Sequence, residues 1–477
     1  MDTTLRDFLE IPYNVLETLN LQAKKKRLTK VLESKFEADY REQLQKEKRL
    51  KAVTLCFSDI EGRFHMLDYD KKHFLMEAGH LTFDGSSIRG FTALAESDLR
   101  LSPQWSTLRW LPADIFGPGK VLMFANILNR DRSLHESDFR GRLRNYVTEL
   151  AQEKNLEPLA APEIEGFLVE GIDAEQHYTE TLGFQFISSG GYFHSLPKDR
   201  LRQFIDASAE AQRALGFENE KDHPEVAPSQ FELIFHYGPV LEICDQIQLY
   251  KLICRQVATS RGMTATFLPK PMSGINGSGM HINFSLRQGK KNAFYAKNGE
   301  TSLSKLAHTF INRLLNHAPE ICLTLNSSVN AYRRLDPNFE APNQIKMSPT
   351  DRGSMIRIPI GNADSTRIEV RSVAPDANPY LAIYAILRTG LEGTELRLTK
   401  GKRPRVRFLP GTIAEALKLF KASQFVTSLL GAEVQKKYGQ AKQLVGDRSP
   451  KDLGTTVKTS EVIYHHEVTN QVLWHRF

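Results

Sequence analysis

The sequence predicts an α+β chain: a helical extension, a small strand-rich domain and a larger domain of alternating strands and helices. Three observations predict it. Composition is that of ordinary globular protein, with 41% hydrophobic and 25% charged residues over 477 positions, enough for a large core in more than one domain. The hydrophobic period changes from helical to alternating near Lys51. Beyond about residue 132, short strand-like runs alternate with long amphipathic stretches to the C-terminus.

Residues 1–47 contain few Gly or Pro and many Leu, Lys, Glu and Gln, and predict helix. The run Lys24-Lys25-Lys26-Arg27 predicts a solvated helical arm. Next, AVTLCFS, a turn at Asp59–Gly62 and RFHMLDY predict strand, turn, strand. LTFDGSSIRGFTALAESD follows as a Gly/Ser-rich loop. A polar cluster at 133–138 opens a helix (DFRGRLRNYVTELAQEKN), and a domain boundary is expected near 132, giving residues 48–131 and 132–477. Further helices are expected at 198–215, 239–261, 302–317, 378–397 and 412–439. The aromatic tail EVIYHHEVTNQVLWHRF predicts packing or an oligomer contact.

Several function classes are excluded. Apolar runs are too short to span a membrane, and MDTTLRDFLE lacks a signal-peptide layout. Cys56, Cys244, Cys254 and Cys322 are scattered with no CxxC, which predicts a reducing, cytoplasmic setting and no disulfide frame. A net charge of +7 over so long a chain gives no reason to expect nucleic acid and suits small anionic substrates equally well.

Four segments carry polar residues on one strand face, where i and i+2 point the same way. APEIEGFLV aligns Glu163 with Glu165. GMHINFSL aligns His281, Asn283 and Ser285. RIEVRSV aligns Arg367, Glu369 and Arg371, and EVAPSQFELIF adds Glu225 and Glu232. Any one of these is explained by a half-exposed strand. Together, five glutamates and a histidine interleaved with arginines suit hard divalent cations and a polyphosphate. Two carboxylates ~4 Å apart repel by about 4 kcal/mol at an effective dielectric near 20, so such a cluster requires cations. Arginines supply bidentate contacts to phosphate and carboxylate oxygens. No Walker P-loop or kinase glycine loop is present.

Nine ordered motifs carry a resemblance. They are FDGSSIRGF with AESD (83–98), PEIEGFLV (162–169), GGYF (190–193), EVAPSQFE (225–232), QLYKL with TATFLPKP (248–271), NGSGMHIN (276–283), NAYRRLDPNFEAP (330–342), DRGSMIRIP (351–359) and RIEVRSVAPDANPYL (367–381). From about residue 48 to about 430 the chain resembles type I glutamine synthetases. The resemblance implies a small β-grasp-like domain, a large catalytic α/β barrel domain and a dodecamer of two hexameric rings. It implies ligation of ammonium to L-glutamate with ATP and two or more Mg²⁺ or Mn²⁺ ions, through a γ-glutamyl phosphate.

By motif, Glu165, Glu225 and Glu232 look like ligands of one ion, and Glu163, His281 and Glu369 of a second. Arg334 and Arg371 match carboxylate-binding arginines, with Asn276 and Gly277 beside them. Arg352 and Arg357 match the pair on the transferring phosphate. Glu220, Tyr237, Ser285 and Arg367 fall where the nucleotide is contacted. Asp84, Ser87, Tyr192 and Glu340 match the ammonium pocket, with Asp84 as proton acceptor and Glu340 as a closing flap. The chain departs from the family at Asp364 (usually basic), Asn283 (commonly His), Gly166 (usually aromatic) and Ala93 (a regulatory Arg in some members). The segment after Gly390 is short and lacks the tyrosine loop that is adenylylated in some members. A ligase using a small amine instead of ammonia, and a non-catalytic structural relative, are the alternatives.

Overall fold

AVTLCFS forms strand β1 (Ala52–Ser58), and β2 (Phe64–Asp70) returns antiparallel to it from Ser58–Phe64 back to Ala52–Asp70. β3 (Thr82–Asp84), β4 (Asp98–Pro103), β5 (Arg109–Trp110) and β6 (Lys120–Leu128) complete a six-stranded sheet in the order β2-β1-β6-β4-β3, with β5 on β6. β1 and β6 run parallel. Both are buried along nearly their whole length because each feeds two cores. Val53, Leu55, Phe57, Val121 and Met123 face the N-terminal helices, whereas Cys56, Leu122 and Phe124 face the large core. The period of two in a strand makes this division automatic. The computed structural model describes residues 10–29, 31–88, 90–92, 97–336, 341–396, 406–449, 453–465 and 467.

The N-terminal extension differs from the expected solvated arm. It is two helices, Tyr13–Leu28 and Glu33–Lys46, whose Leu16, Ala23, Phe36, Tyr40 and Leu44 are buried against the small sheet. Asn20 is fully buried; its amide donates to the Trp110 and Ala214 carbonyls at 2.9 and 2.7 Å and accepts from Trp110 N at 3.0 Å. Within the basic run, Lys24 is buried and pairs with Glu218 at 2.5 Å, and Arg27 pairs with Glu242 at 3.0 Å. The partners lie some two hundred residues downstream, so local charge patterning had no access to them.

The second sheet has ten strands. β7 (Leu156–Glu170) is central, with β8 (Asn219–Pro224), β9 (Gln230–Phe235), β10 (Gly238–Pro239), β11 (Met263–Thr266), β12 (Met280–Gln288), β13 (Lys291–Asn292), β14 (Gln344–Ser348), β15 (Ser354–Arg357) and β16 (Ile368–Val370). The path is β14-β15-β16-β12-β7-β9-β8, with β10 and β11 on β7 and β13 on β12. Long helices Arg200–Ala214, Val240–Ser260 and Pro379–Glu392 fall where periodicity predicts them, whereas Lys305–Leu325 runs past the expected end at 317, straight through Pro319. The expected 412–439 helix is three: Ile413–Ala422, Gln424–Leu430 and Ala432–Asp447. Ser423 ends the first and caps the second through Val426 N, and Gly431, at φ 87°, ends the second.

Helices of the large domain clamp the small sheet at the β1–β2 turn. Gln248 donates to Ser58 and Gly62, Asn378 donates to the Asp59 and Ile60 carbonyls, and Lys442 meets Glu61 at 2.8 Å with both side chains excluded from solvent. A Cβ at Gly62 would sit 2.6 Å from Asn378 Cα, so the approach requires glycine. Among the described residues no helix is long and apolar enough to cross a membrane. The four cysteines are free and buried.

Candidate active site

Sheet register assembles the site. His281 on β12 lies opposite Glu163 on β7, and Asn283 lies opposite Glu369 on β16. Arg357 on β15 lies opposite Glu369 on the other side. Across β7, Glu165 faces Glu232 on β9, which faces His223 on β8. Directly opposed residues in antiparallel strands project to the same face with Cβ atoms about 5 Å apart. The sheet therefore carries a continuous polar ladder where the other face packs the core.

Two groups of donor atoms emerge. Glu163, His281 and Glu369 bring one ligand atom each within 4.8 Å of one another, as the sequence motifs imply. His281 Nδ1 is 3.7 Å from an oxygen of each glutamate. The second group is His223, Glu225 and Glu232, and here the structure differs from the expected trio. Glu165 stands beside Glu232 in register, but its carboxylate accepts from Gly279 N at 2.7 Å. His223 was missed; its alternation with Glu225 in KDHPE was the available signal. Burial lowers the pKa of its imidazole, and its Nε2 is buried without a hydrogen-bond partner, 3.4 Å from Glu232.

The electrostatics fit divalent cations. Burial pushes Glu232 well above the usual carboxylate range, with Glu163 and Glu225 adding to the effect. Burial pushes Glu165 up to about 7, reinforced by Glu232 and Glu225. Glu225 is also raised by burial. Burial opposes ionisation of Glu163 too, but His281 and the 2.9 Å bond from Asn283 hold it down at about 2. Oxygen-rich groups with one imidazole each, crowded enough to resist full ionisation, suit Mg²⁺ or Mn²⁺.

Glu369 is completely buried and carries two cations. Arg357 reaches one oxygen through two nitrogens, and Arg371 Nη1 donates to the other at 2.6 Å. Arg334, from the short helix Val329–Arg334, donates to the Arg371 carbonyl at 2.9 Å. Burial lowers its guanidinium to about 10. Arg334 Nη1 and Arg371 Nε are buried donors without a hydrogen-bond partner. Gly279 lets these groups converge: a Cβ there would lie 2.5 Å from His281 and 2.6 Å from Arg334.

Two cavities open on the ladder. One, about 490 Å³, is lined by Glu163, Asn283, Glu220, Tyr237, Ser285 and Arg367, with Asp364 at its wall. The expected nucleotide contacts thus share one cavity, apart from Arg352 and Arg357, which do not line it. Asn283 bridges Glu163 to Arg367 Nε, which it accepts at 2.9 Å. The other, about 80 Å³, is lined by Glu165, Glu225, Asn276, Gly277, Arg334, Arg352 and Arg371, together with His281. At Gly166 a Cβ would meet Phe231 at 2.7 Å and Phe267 at 3.0 Å, so two phenylalanines from neighbouring segments occupy that space.

The expected ammonium residues are dispersed. Tyr192 is 52% exposed and packs edge-on to His223. Asp84, the last residue of β3, and Ser87, in the turn after it, are exposed and line neither cavity. Hydrogen bonds from Ser86 and Ser87 lower the Asp84 carboxyl. Glu340 and Ala93 lie outside the described residues.

Comparison with known proteins adds to this geometry. A family model described as the glutamine synthetase catalytic domain matches residues 136–447, and one described as the glutamine synthetase β-grasp domain matches residues 49–130. The glutamine synthetase of Thermotoga maritima is 35% identical over 414 residues, covering 83% of this chain and 93% of that protein. That of Methanosarcina mazei is 36% identical over 422 residues, covering 84% and 92%. Among solved structures, Plasmodium falciparum glutamine synthetase aligns with a TM-score of 0.76 at 20% identity, covering 92% of this chain and 98% of that one. A complex of GmaS with ADP aligns at 0.72 and 24% identity, covering 83% and 93%. At these identities the two structures speak to fold alone.

Proposed function

The chain belongs to the glutamine synthetase family, a family of metal-dependent, ATP-using ligases, and from that premise we propose that it joins ammonium to the γ-carboxylate of L-glutamate with ATP as phosphoryl donor. The carrying observation is the strand ladder with two cavities opening on it: the larger, about 490 Å³, with room for a nucleotide, and a small one walled by cationic donors. We read residues 1–47 as an extension, 48–131 as the β-grasp domain and 132–477 as the catalytic domain.

In this reading Glu220, Tyr237, Ser285 and Arg367 hold the nucleotide in the larger cavity. Arg334 and Arg371 take the glutamate α-carboxylate on their unfilled donors, and Asn276 and Gly277 contact the amino acid through their backbone. The two carboxylate–imidazole groups, with Glu165 beside the second, would hold Mg²⁺ or Mn²⁺, which supply charge neutralisation of the phosphate oxygens. Arg352 and Arg357 steady the transferring phosphoryl group. A γ-carboxylate oxygen of glutamate displaces ADP at the γ-phosphorus, giving γ-glutamyl phosphate. Asp84, with Ser87 and Tyr192, binds ammonium and takes one proton. The ammonia attacks the acyl carbon, inorganic phosphate leaves, and the departing phosphate takes the second proton shed by the nitrogen. Glu340 closes the site so that water does not compete.

Asp84 and Ser87 line neither cavity of their own chain, which supports a neighbouring subunit supplying them to each site. This reading favours a ring-closing, head-to-tail assembly, a dodecamer of two hexameric rings. The test is phosphate release from ATP with glutamate, comparing ammonium, methylamine and longer amines. A higher kcat/KM with an amine assigns the chain to small-amine ligation, and no turnover with any of them assigns it to the non-catalytic relatives.

A further inference from the structure

The short helix Val329–Arg334 ends in two consecutive arginines with opposite duties. Arg334 turns toward the small cavity. Arg333 turns away, and its guanidinium is given over to the C-terminal segment. Its Nε and Nη2 each donate to Glu461 at 2.6 Å, Nη1 donates to the Gly454 carbonyl and Nη2 to the Thr456 carbonyl, both at 3.0 Å. The Glu461 side chain is fully excluded from solvent. Asn330, one turn earlier on the same helix, donates to Glu461 at 3.3 Å and makes a two-point pair with the Lys270 backbone.

A six-residue helix has no stability of its own, so its orientation is set by what grips it. Besides the cap, in which Ala331 N donates to Ser328 Oγ, and the bond from Arg334 to the Arg371 carbonyl, these are the polar grips found on its side chains among the described residues. The gripping segment is itself anchored. Val457 and Val462 are buried beside Phe167 and Leu268, and His465 Nε2 meets Asp376 at 2.6 Å with both groups buried. Residues 453–465 lie past the point where the catalytic-domain match ends.

We propose that the C-terminal segment is a positioning element for Arg334, with Glu461 acting through Arg333 to hold the helix that presents Arg334 to the amino-acid substrate. A bidentate guanidinium–carboxylate pair fixes angle as well as distance, which a point contact does not. The inference rests on the reading of Arg334 as a glutamate-carboxylate contact.

The experiment uses the full-length protein carrying Glu461→Gln, which keeps shape but removes the negative charge and one of the two acceptor oxygens. The expected result is a glutamate KM raised about tenfold with the ATP KM within about twofold, since a misplaced Arg334 weakens binding of one substrate only. Glu461→Asp, which keeps the charge but withdraws it by one methylene, should shift the glutamate KM in the same direction by less. A folded variant of either kind with unchanged glutamate KM overturns the proposal, as does a parallel rise in both KM values. If neither variant assembles, the segment serves folding itself and the proposal falls. Arg334→Lys separates the two levels. If it leaves the glutamate KM unchanged, the assignment of Arg334 fails. If it raises that KM while Glu461→Gln does not, only the positioning role fails.

Discussion

Glu369 is the residue whose neutralisation tests most of the site at once. Its carboxylate is excluded from solvent, shared between Arg357 and Arg371, and 3.7 Å from His281. With charge centres ~4 Å apart and an effective dielectric near 20, each arginine pairing is worth about 4 kcal/mol before desolvation. Desolvation of three charged groups offsets most of that sum, but removing the central one leaves two guanidinia facing each other. Breaking a buried pair from one side costs about 3–5 kcal/mol. Glu369→Gln preserves the side chain's shape, so that loss should appear in the denaturant midpoint of protein stripped of divalent ions. Activity should suffer more. Groups that merely orient metal ligands account for about 10–100-fold effects, so loss of a ligand charge should reduce phosphate release at saturating Mg²⁺ by at least ~100-fold. A variant that keeps its midpoint and most of its turnover would refute both the electrostatic argument and the assignment of Glu163, His281 and Glu369 to one ion.

Three further outcomes are expected. Glu165, at about 7 in the folded chain, holds its proton above the ~4.3 of an unfolded glutamate. Its stabilising effect in metal-free protein is therefore full below that value and is lost as pH rises toward 7. Adding Mg²⁺ near pH ~6.5 in weak buffer should release protons, and calorimetry in buffers of different ionisation heat that shows none would count against the idea. Asn20→Ala leaves the buried Trp110 N–H and the Trp110 and Ala214 carbonyls without their partner. It should destabilise by about 2–3 kcal/mol in urea unfolding with kcat unchanged, and a neutral midpoint would argue against docking of the extension. Asp84→Ala and Glu369→Ala oligomers should each be nearly inactive, yet random one-to-one reassembly should restore about a quarter of sites if each is built between subunits. No recovery in verified mixed oligomers rejects the shared site.

The strand alternations of Glu163 with Glu165 and of Arg367 with Glu369 and Arg371 were legible because a period of two shows directly in sequence. So was β1, where the change from helical to alternating period is abrupt. What escaped was non-local. Lys24 and Arg27 look like solvated surface charges until Glu218 and Glu242 are brought to them by the fold. His223 alternates with Glu225 in sequence, but nothing local ties it to Glu232 until β8 pairs with β9 and sets the two opposite each other. The opposite duties of Arg333 and Arg334 depend on a segment more than a hundred residues downstream. Gly166 gives the reverse lesson: its departure from an aromatic looks like a loss, yet Phe231 and Phe267 close on the space a side chain would need.

The strand ladder also bears on how such a protein can change over generations. Since the ladder's side chains are fixed by pairing partner, a single residue inserted into β7, β9, β12 or β16 would turn every group beyond it to the opposite face. Indels in those strands are therefore lethal to the chemistry in one step, with no graded intermediate for selection to act on. That leaves room for substitutions on the ladder and for changes in the connections at strand ends, such as the one between β15 and β16, where Asp364 sits at the wall of the larger cavity. Descendants of this scaffold that acquire new substrates should carry their length differences in those connections and none in the strands.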